Sequence, residues 1–386
     1  MKYCLEYGYI SLNKKNEELC GDKVEIIQNK NATTLVLADG LGSGVKANIL
    51  ATLTSKILGI MASNNIPIEE CIKTIISTLP VCKVRQVAYS TFTLIHLYDD
   101  GTGYLVEFDN PQTIILRDYQ VIELNRIKKE IEGKVIYITE LKLNNEDAVI
   151  AMSDGVIHAG IGTYLNLGWN RTSVIDYLER NITPDYSAKG IASIITNCCY
   201  DLYGGLPGDD TTVACIKIKE NYPVDIMVGP PTKKEDDEAV VKRFLTNPGR
   251  KVVCGGTTGT IVGKFLNEEV IAICNYVDPE IPPIGFINGI DLVTEGVITL
   301  RKVLELSEYY LQNNNPDIIT FEKEDGASML ARMLFERATH IHFFIGRSVN
   351  KAHESLPIDF GMKMKLIENL SKNLRLMGKT VELEYN

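Results

Sequence analysis

Thr33-Thr34-Leu35-Val36-Leu37-Ala38-Asp39-Gly40-Leu41-Gly42-Ser43-Gly44-Val45 is the stretch that decides how the first half of the chain folds. Its apolar, β-rich start predicts a strand over residues 33–38. That strand runs into a glycine-rich turn at 40–44, and a long helix is expected from about 45 to 64. Ile49, Leu50, Leu53, Ile57 and Ile60 recur at the helical period and are expected to be its apolar face. An aspartate at a strand end, next to a glycine that lets the backbone come close, can offer carboxylate and carbonyl oxygens to a hard cation. Taken alone, an Asp-Gly pair is also an ordinary turn.

Working outward, residues 23–28 read as a strand separated from 33–38 by Asn29-Lys30-Asn31. A second helix is expected over 67–79, with Glu69-Glu70 suiting its N-terminus. Strands follow at 89–98 and 104–108 around Asp99-Asp100-Gly101-Thr102-Gly103, then at 113–116, 135–139 and 147–152. Helices are expected at 173–180 and 187–203, and a strand at 213–217. A domain boundary falls at about 219–235, where Asn221-Tyr222-Pro223, a strand at 224–228, Gly229-Pro230-Pro231 and the charged run 233–238 succeed one another. Beyond it β and α patterns alternate. Strand 252–253 leads to a loop and helix, Asp291–Gly296 caps a helix at 297–311, and a helix at 326–338 leads to strand 340–345. A helix at 358–377 leads to strand 380–384. This predicts a second α/β domain over 222–386.

The 386 residues are 45% hydrophobic and 23% charged, a globular composition long enough for two domains. The net charge of −10 argues against nucleic-acid and membrane partners, which need a cationic face, and suits carboxylates gathered around divalent ions. Nine cysteines without CxxC spacing read as reduced thiols of a cytoplasmic protein, with Cys198-Cys199 in a buried helix. Neither a membrane span of about 18 uncharged apolar residues nor an export signal is expected.

Asp39 has two counterparts. Met152-Ser153-Asp154-Gly155 and Gly208-Asp209-Asp210-Thr211 also place aspartate where a β-like run meets a glycine-bearing turn. Hard carboxylate oxygens on rigid strand ends suit Mg²⁺ and Mn²⁺. Together with Gly21-Asp22, the turn 39–44, Ser90-Thr91-Phe92-Thr93, Ser153-Asp154-Gly155-Val156 and Gly208-Asp209-Asp210-Thr211-Thr212-Val213, residues 1–219 resemble the bacterial branch of the metal-dependent PPM/PP2C serine/threonine phosphatases. Within that branch they are similar to the stage II sporulation protein E (SpoIIE) family.

The resemblance implies an α+β fold, an α-β-β-α sandwich of two antiparallel sheets with one or two Mn²⁺ or Mg²⁺ ions at one end. It implies that Asp39 bridges the ions, that the Gly40 carbonyl is a further ligand, and that Asp154 and Asp209 hold the other ion. Asp22 matches an acidic residue that binds metal-coordinated water, which makes Asp22 and Asp39 the implied catalytic carboxylates. Asp210 follows a ligand position and stands in the layer behind it. Gly21 occupies the place of a glutamate ligand in the eukaryotic relatives, and their phosphate-holding N-terminal arginine has no placed counterpart. The implied reaction is hydrolysis of a phosphoserine or phosphothreonine ester by metal-activated water. The implied partner is a phosphorylated protein, a small anti-anti-sigma-type regulator. Residues 45–79 match helices that act in the family as a switch on the metal ligands, and they read equally as plain packing helices. A small-metabolite phosphatase and a non-catalytic metal- or ligand-binding scaffold are the alternatives, and homodimerisation stays open.

No family is recognised in residues 222–386. Gly255-Gly256-Thr257-Thr258-Gly259, after Cys254, reads as a tight turn or as a loop cradling an anion with its backbone N–H groups. Thr294 is a candidate helix cap, His340 and His342 are placed on one strand face in structural or surface roles, and Cys254 reads as buried rather than reactive. A regulatory, ligand-binding or partner-binding role is expected for this half.

Overall fold

The structure is a computed structural model and describes residues 3–78, 90–273, 281–315, 323–347 and 360–386. The expectations for Leu79, Cys82, Tyr89, Cys274 and positions 358–359 lie outside the described residues. The chain divides into two compact units. One is Met1–Glu220 with Asn313–Ile318, and the other is Asn221–Gln312 with Ile319–Asn386.

The first unit runs β1 (Cys4–Leu12), β2 (Asp22–Gln28), β3 (Ala32–Gly40), α1 (Gly44–Ser63), α2 (Ile68–Thr78), β4 (Ser90–Tyr98), β5 (Thr102–Phe108), β6 (Ile114–Arg117), β7 (Gln120–Ile122), β8 (Arg126–Ile131), β9 (Lys134–Lys142), β10 (Ala148–Met152), α3 (Asp154–Ile157), α4 (Arg171–Asn181), α5 (Ala188–Leu202) and β11 (Thr211–Lys219). The strands form two antiparallel sheets, ordered β2-β3-β4-β5-β9-β8 and β1-β11-β10-β6-β7. Alternate residues of each central strand face opposite ways, so β3 is apolar on both faces. Leu35 and Leu37 pack with Ile95 and Leu97 against Val149, Ala214 and Ile216 of the other sheet. Val36 and Ala38 instead face α1 and α2. Ile150, Val213 and Cys215 turn outward onto α4 and α5. The result is the α-β-β-α sandwich, of α+β class.

β1, which pairs with β11 along its whole length, is not marked by the sequence pattern, because Glu6, Tyr7, Gly8 and Tyr9 break a simple alternation. β8 is also unmarked. It is an edge strand carrying Arg126, Lys128, Lys129 and Glu130, the charged character that protects a sheet edge.

α1 corrects the expected apolar face. Ala47, Leu50, Ala51, Thr54, Leu58 and Ala62 are buried, whereas Val45, Ile49, Leu53 and Ile60 are 61%, 53%, 45% and 56% exposed. The cause is close approach. A side chain at Gly40 would strike the Ala47 carbonyl, and one at Gly59 would press on Ile27. Small residues therefore face the sheet, and the larger ones at the same period are left outside. By length and composition alone α1 could cross a membrane, but 44% of that window is buried within the unit.

The second unit runs β12 (Pro223–Val228), α6 (Asp237–Thr246), β13 (Arg250–Cys254), α7 (Gly256–Leu266), β14 (Ile271–Ile273), β15 (Ile284–Phe286), β16 (Leu292–Thr294), α8 (Val297–Tyr310), α9 (Gly326–Ala331, continued as a π-helix to Arg337), β17 (His340–Ile345), α10 (Phe360–Leu376) and β18 (Thr380–Tyr385). Its sheet order is β14-β15-β16-β13-β12-β17-β18, and the five strands from β16 to β18 are parallel. The order turns back on itself at β12, with β13 on one side and β17 on the other. The charged run 233–238 enters a helix, α6. One local reading is corrected. Thr294 belongs to β16, where its hydroxyl donates to the Glu295 carbonyl, and Gly296 caps α8 instead.

Candidate metal centre

The centre is assembled at strand ends from both sheets of the sandwich. β2 begins at Asp22 and β3 ends at Gly40, and their register sets Asp22 directly opposite Asp39. On its other side Asp39 pairs with Thr91, and the Ser90 hydroxyl donates to the Asp39 carbonyl at 2.8 Å. In the second sheet β10 ends at Met152 opposite Val213. There Ser153 N–H donates to the Thr212 carbonyl and Thr212 N–H donates to Ser153 Oγ, both at 2.9 Å. This reciprocal pair ties the turn bearing Asp154 to the turn bearing Asp209 and Asp210. Gly155 lies so close to the Asp210 carbonyl that any side chain there would collide with it, and the Tyr203 hydroxyl donates to the Gly155 carbonyl at 2.7 Å.

Burial and like charge dominate the electrostatics. Asp22 is 3% exposed, and neither carboxylate oxygen has a hydrogen-bond partner among the described residues. Its pKa is pushed up to about 7, first by burial and then by the charges of Asp210 and Asp154. The nearby hydroxyls of Ser153 and Thr212 offset part of this without reaching hydrogen-bond geometry. Asp39 is pushed up to about 9 by burial and by Asp22, Asp154, Asp209 and Asp210. Burial and Asp209 also raise Asp154. Burial raises Asp210, against the bonds it accepts, and its Oδ2 is another buried oxygen without a partner among the described residues. Unpaired buried carboxylates are costly, and hard oxygen donors concentrated this way fit a divalent cation.

The sequence-marked residues divide into two places. Asp22, Asp39, Asp154, Asp209 and Asp210 act on one another electrostatically, and Gly40 N–H donates to the Gly21 carbonyl at 3.2 Å beside them. A side chain at Gly21 would meet Asp210 Oδ2 and Ala47 Cβ, so a glutamate cannot stand there without displacing them. Gly255, Gly256, Thr257, Thr258 and Gly259 belong to the second unit, and the expected loop is corrected: Gly255 follows β13 and caps α7, and the other four form the first turn of that helix. Gly255 has φ +116°, a conformation that requires glycine. Cys254 is buried, and burial pushes its thiol up to about 12, so it is no reactive thiolate. His340 is exposed, whereas His342 is half-buried, 3.4 Å from Glu384.

Three residues at or beside the centre escape the sequence reading. Lys14 Nζ is 3.2 Å from Asp209 Oδ1, and the Lys14 N–H donates to Asp210 Oδ1 at 3.0 Å. Glu17 accepts from the Ser43 hydroxyl at 2.8 Å and so holds the glycine-rich turn. His158 stands with Asp154 and Asp209 in a group whose ligand atoms lie within 4.8 Å of one another. Nothing in the loop 13–21 signals the first two. Only the four-residue spacing from Asp154 could have marked His158.

The family model for stage II sporulation protein E (SpoIIE) matches residues 29–219. The stage II sporulation protein E of Priestia megaterium is 26% identical over 227 residues, which cover 57% of this chain and 37% of that protein. The chain thus spans well under half the length of the curated relative it matches. Among solved structures, the PP2C phosphatase domain with a regulatory-domain fragment of SpoIIE from Bacillus subtilis matches with a TM-score of 0.49 and 23% identity, covering 57% of this chain and 65% of that one. The RsbU and RsbW domains of a Mycobacterium tuberculosis protein match with a TM-score of 0.48 and 16% identity, covering 63% and 69%. Residues 29–219 of this chain are a SpoIIE-type PP2C phosphatase segment.

Proposed function

We propose that this protein is a metal-dependent serine/threonine phosphatase acting on a phosphorylated protein, and that Asp22, Asp39, Gly40, Asp154 and Asp209 form its centre with Asp210 behind them. One observation carries the reading. Carboxylates from the ends of two separate sheets converge, and the buried Asp22 has both oxygens unpartnered among the described residues. Mn²⁺ or Mg²⁺ bound there supplies a water acidic enough to attack near neutral pH and positive charge for the phosphoryl oxygens.

The chain's own contribution is position and charge. Asp39 reaches the centre from the first sheet, and Asp154 and Asp209 reach it from the second. Strand ends hold them in place before substrate arrives, so little reorganisation accompanies the reaction. Lys14 holds its ammonium against Asp209 at the partly exposed rim, and an ammonium there has further N–H donors to offer a phosphoryl oxygen. Ser153 and Thr212 lock the two turns against drift. The segment's family supports a small phosphorylated regulator of the anti-anti-sigma type as the substrate.

The test is turnover of p-nitrophenyl phosphate and of a phosphoserine peptide with Mn²⁺ and with Mg²⁺. Activity should need the cation, vanish in EDTA and fall at least 100-fold in Asp39→Asn, since even residues that only support metal ligands are worth 10–100-fold. Full activity in excess EDTA overturns the reading. Turnover of small phosphometabolites but of no phosphoprotein replaces the substrate class.

A further inference from the structure

His158 has no assigned part in the centre described above. It is the residue just past α3, four positions after Asp154, so both side chains project from one face of the same helical turn. Its N–H donates to the Asp154 carbonyl at 3.0 Å. The turn is held from behind by the close contact of Gly155 with Asp210 and by the hydrogen bond from Tyr203. The imidazole is therefore carried on a fixed backbone, although its side chain is 48% exposed.

Asp154 Oδ2 lies 3.8 Å from its Nδ1. That is too long for a hydrogen bond, and an exposed pair of this kind contributes little to stability. The distances suit shared coordination better. One ligand atom from each of Asp154, His158 and Asp209 lies within 4.8 Å of the others. Donors bound at about 2.1 Å to one ion stand about 3 Å apart when adjacent and about 4.2 Å apart when opposite. Modest rotation of three partly exposed side chains would seat an ion. A second feature beside this group also calls for a cation: Asp22 is buried with both oxygens unpartnered among the described residues, and the charge of Asp154 acts on it directly.

We propose that His158 is a ligand to the ion held by Asp154 and Asp209, and that it biases this ion site toward Mn²⁺ and away from Mg²⁺. The chemistry follows from the donor. Mg²⁺ demands oxygen ligands and keeps its waters, whereas an imidazole nitrogen favours first-row transition ions. The inference rests on the metal-centre reading of the carboxylates and adds a nitrogen to it.

The experiment uses the full chain, titrated with Mn²⁺ and with Mg²⁺ by calorimetry, together with pulsed EPR of bound Mn²⁺ for coupling to a nitrogen nucleus. Wild type, His158→Ala, His158→Gln and Asp154→Asn are compared, with circular dichroism melts of each ion-free protein as the folding control. Wild-type Mn²⁺ should show a directly bound nitrogen. Both His158 variants should lose that coupling and about 10–100-fold in Mn²⁺ affinity, with Mg²⁺ affinity within about twofold. Absence of nitrogen coupling in the wild type overturns the proposal, as does an equal loss for both ions in the His158 variants. If Asp154→Asn weakens Mn²⁺ binding and the His158 variants do not, only the histidine assignment falls. If Asp154→Asn leaves Mn²⁺ binding intact as well, the metal-centre reading falls with it.

Discussion

At Asp39 a carboxylate is surrounded by protein on most sides and repelled by Asp22, Asp154, Asp209 and Asp210. Such an arrangement costs stability until a cation neutralises it. Asp39→Asn should therefore raise the melting temperature of the ion-free protein, by about 2–4 °C for each kcal/mol of repulsion relieved. It should also erase most of the further rise that Mn²⁺ gives the wild type. A thermal melt with and without Mn²⁺ checks both. His96 carries a second prediction. It is buried on β4, its Nδ1 lies 2.8 Å from Thr34 Oγ1, and its Nε2 has no partner among the described residues. Burial lowers its pKa from 6.5, so the fold holds it neutral while the unfolded chain takes up a proton. Its contribution is fully present above pH 6.5 and is lost as the pH falls through the lowered folded value. His96→Gln should flatten this acid limb in urea unfolding measured from pH 7.5 to 5. Asp39, Asp154 and Asp209 were legible because each sits at a strand end beside glycine. Lys14 was not, because it reaches Asp209 from 195 positions away in the sequence.

Among the elements, α1 shows where periodicity misleads. The helix and its approximate ends follow from the sequence, but its buried face does not. Period 3.6 identifies more than one apolar stripe on a helix this apolar, and only the nearness of Gly40 to the Ala47 carbonyl selects the small-residue stripe. Two substitutions separate the faces. Ile49→Lys, on the exposed side, should change stability by no more than about 0.5 kcal/mol. Ala51→Leu, against the sheet, should cost about 1–3 kcal/mol by overpacking, read from urea denaturation of each variant. Strands β3, β10 and β11 were legible for the opposite reason. They are central, covered on both faces, and so nearly uniformly apolar. Edge strand β8 is charged, and nothing local distinguishes it from a loop.

Across the whole molecule, each unit has its own core, so unfolding is not expected to be a single two-state event. In the second unit a buried ion pair, Lys251 Nζ to Asp225 Oδ2 at 2.6 Å, joins β13 to β12, and Asp225 also accepts from Asn247 Nδ2 and Gly249 N–H. Lys251→Met leaves that carboxylate buried without its cation and should cost the second unit about 3–5 kcal/mol. Adding Asp225→Asn should restore most of the loss, with the effect confined to one of two urea transitions. The division of evidence between sequence and structure follows from range. The sequence by itself determined which turns bear the aspartates and the α/β alternation of the second unit, because turn chemistry and side-chain period are local properties of neighbouring residues; the α-β-β-α class of the first unit came through the resemblance of its motifs to a known family. Only the tertiary structure decided that Asp22 faces Asp39 with both oxygens unpartnered among the described residues, that α1 turns its small residues inward, and that Lys14 and His158 stand beside the carboxylates. Those facts depend on strand register and on the approach of backbones far apart in the chain, which no local pattern encodes.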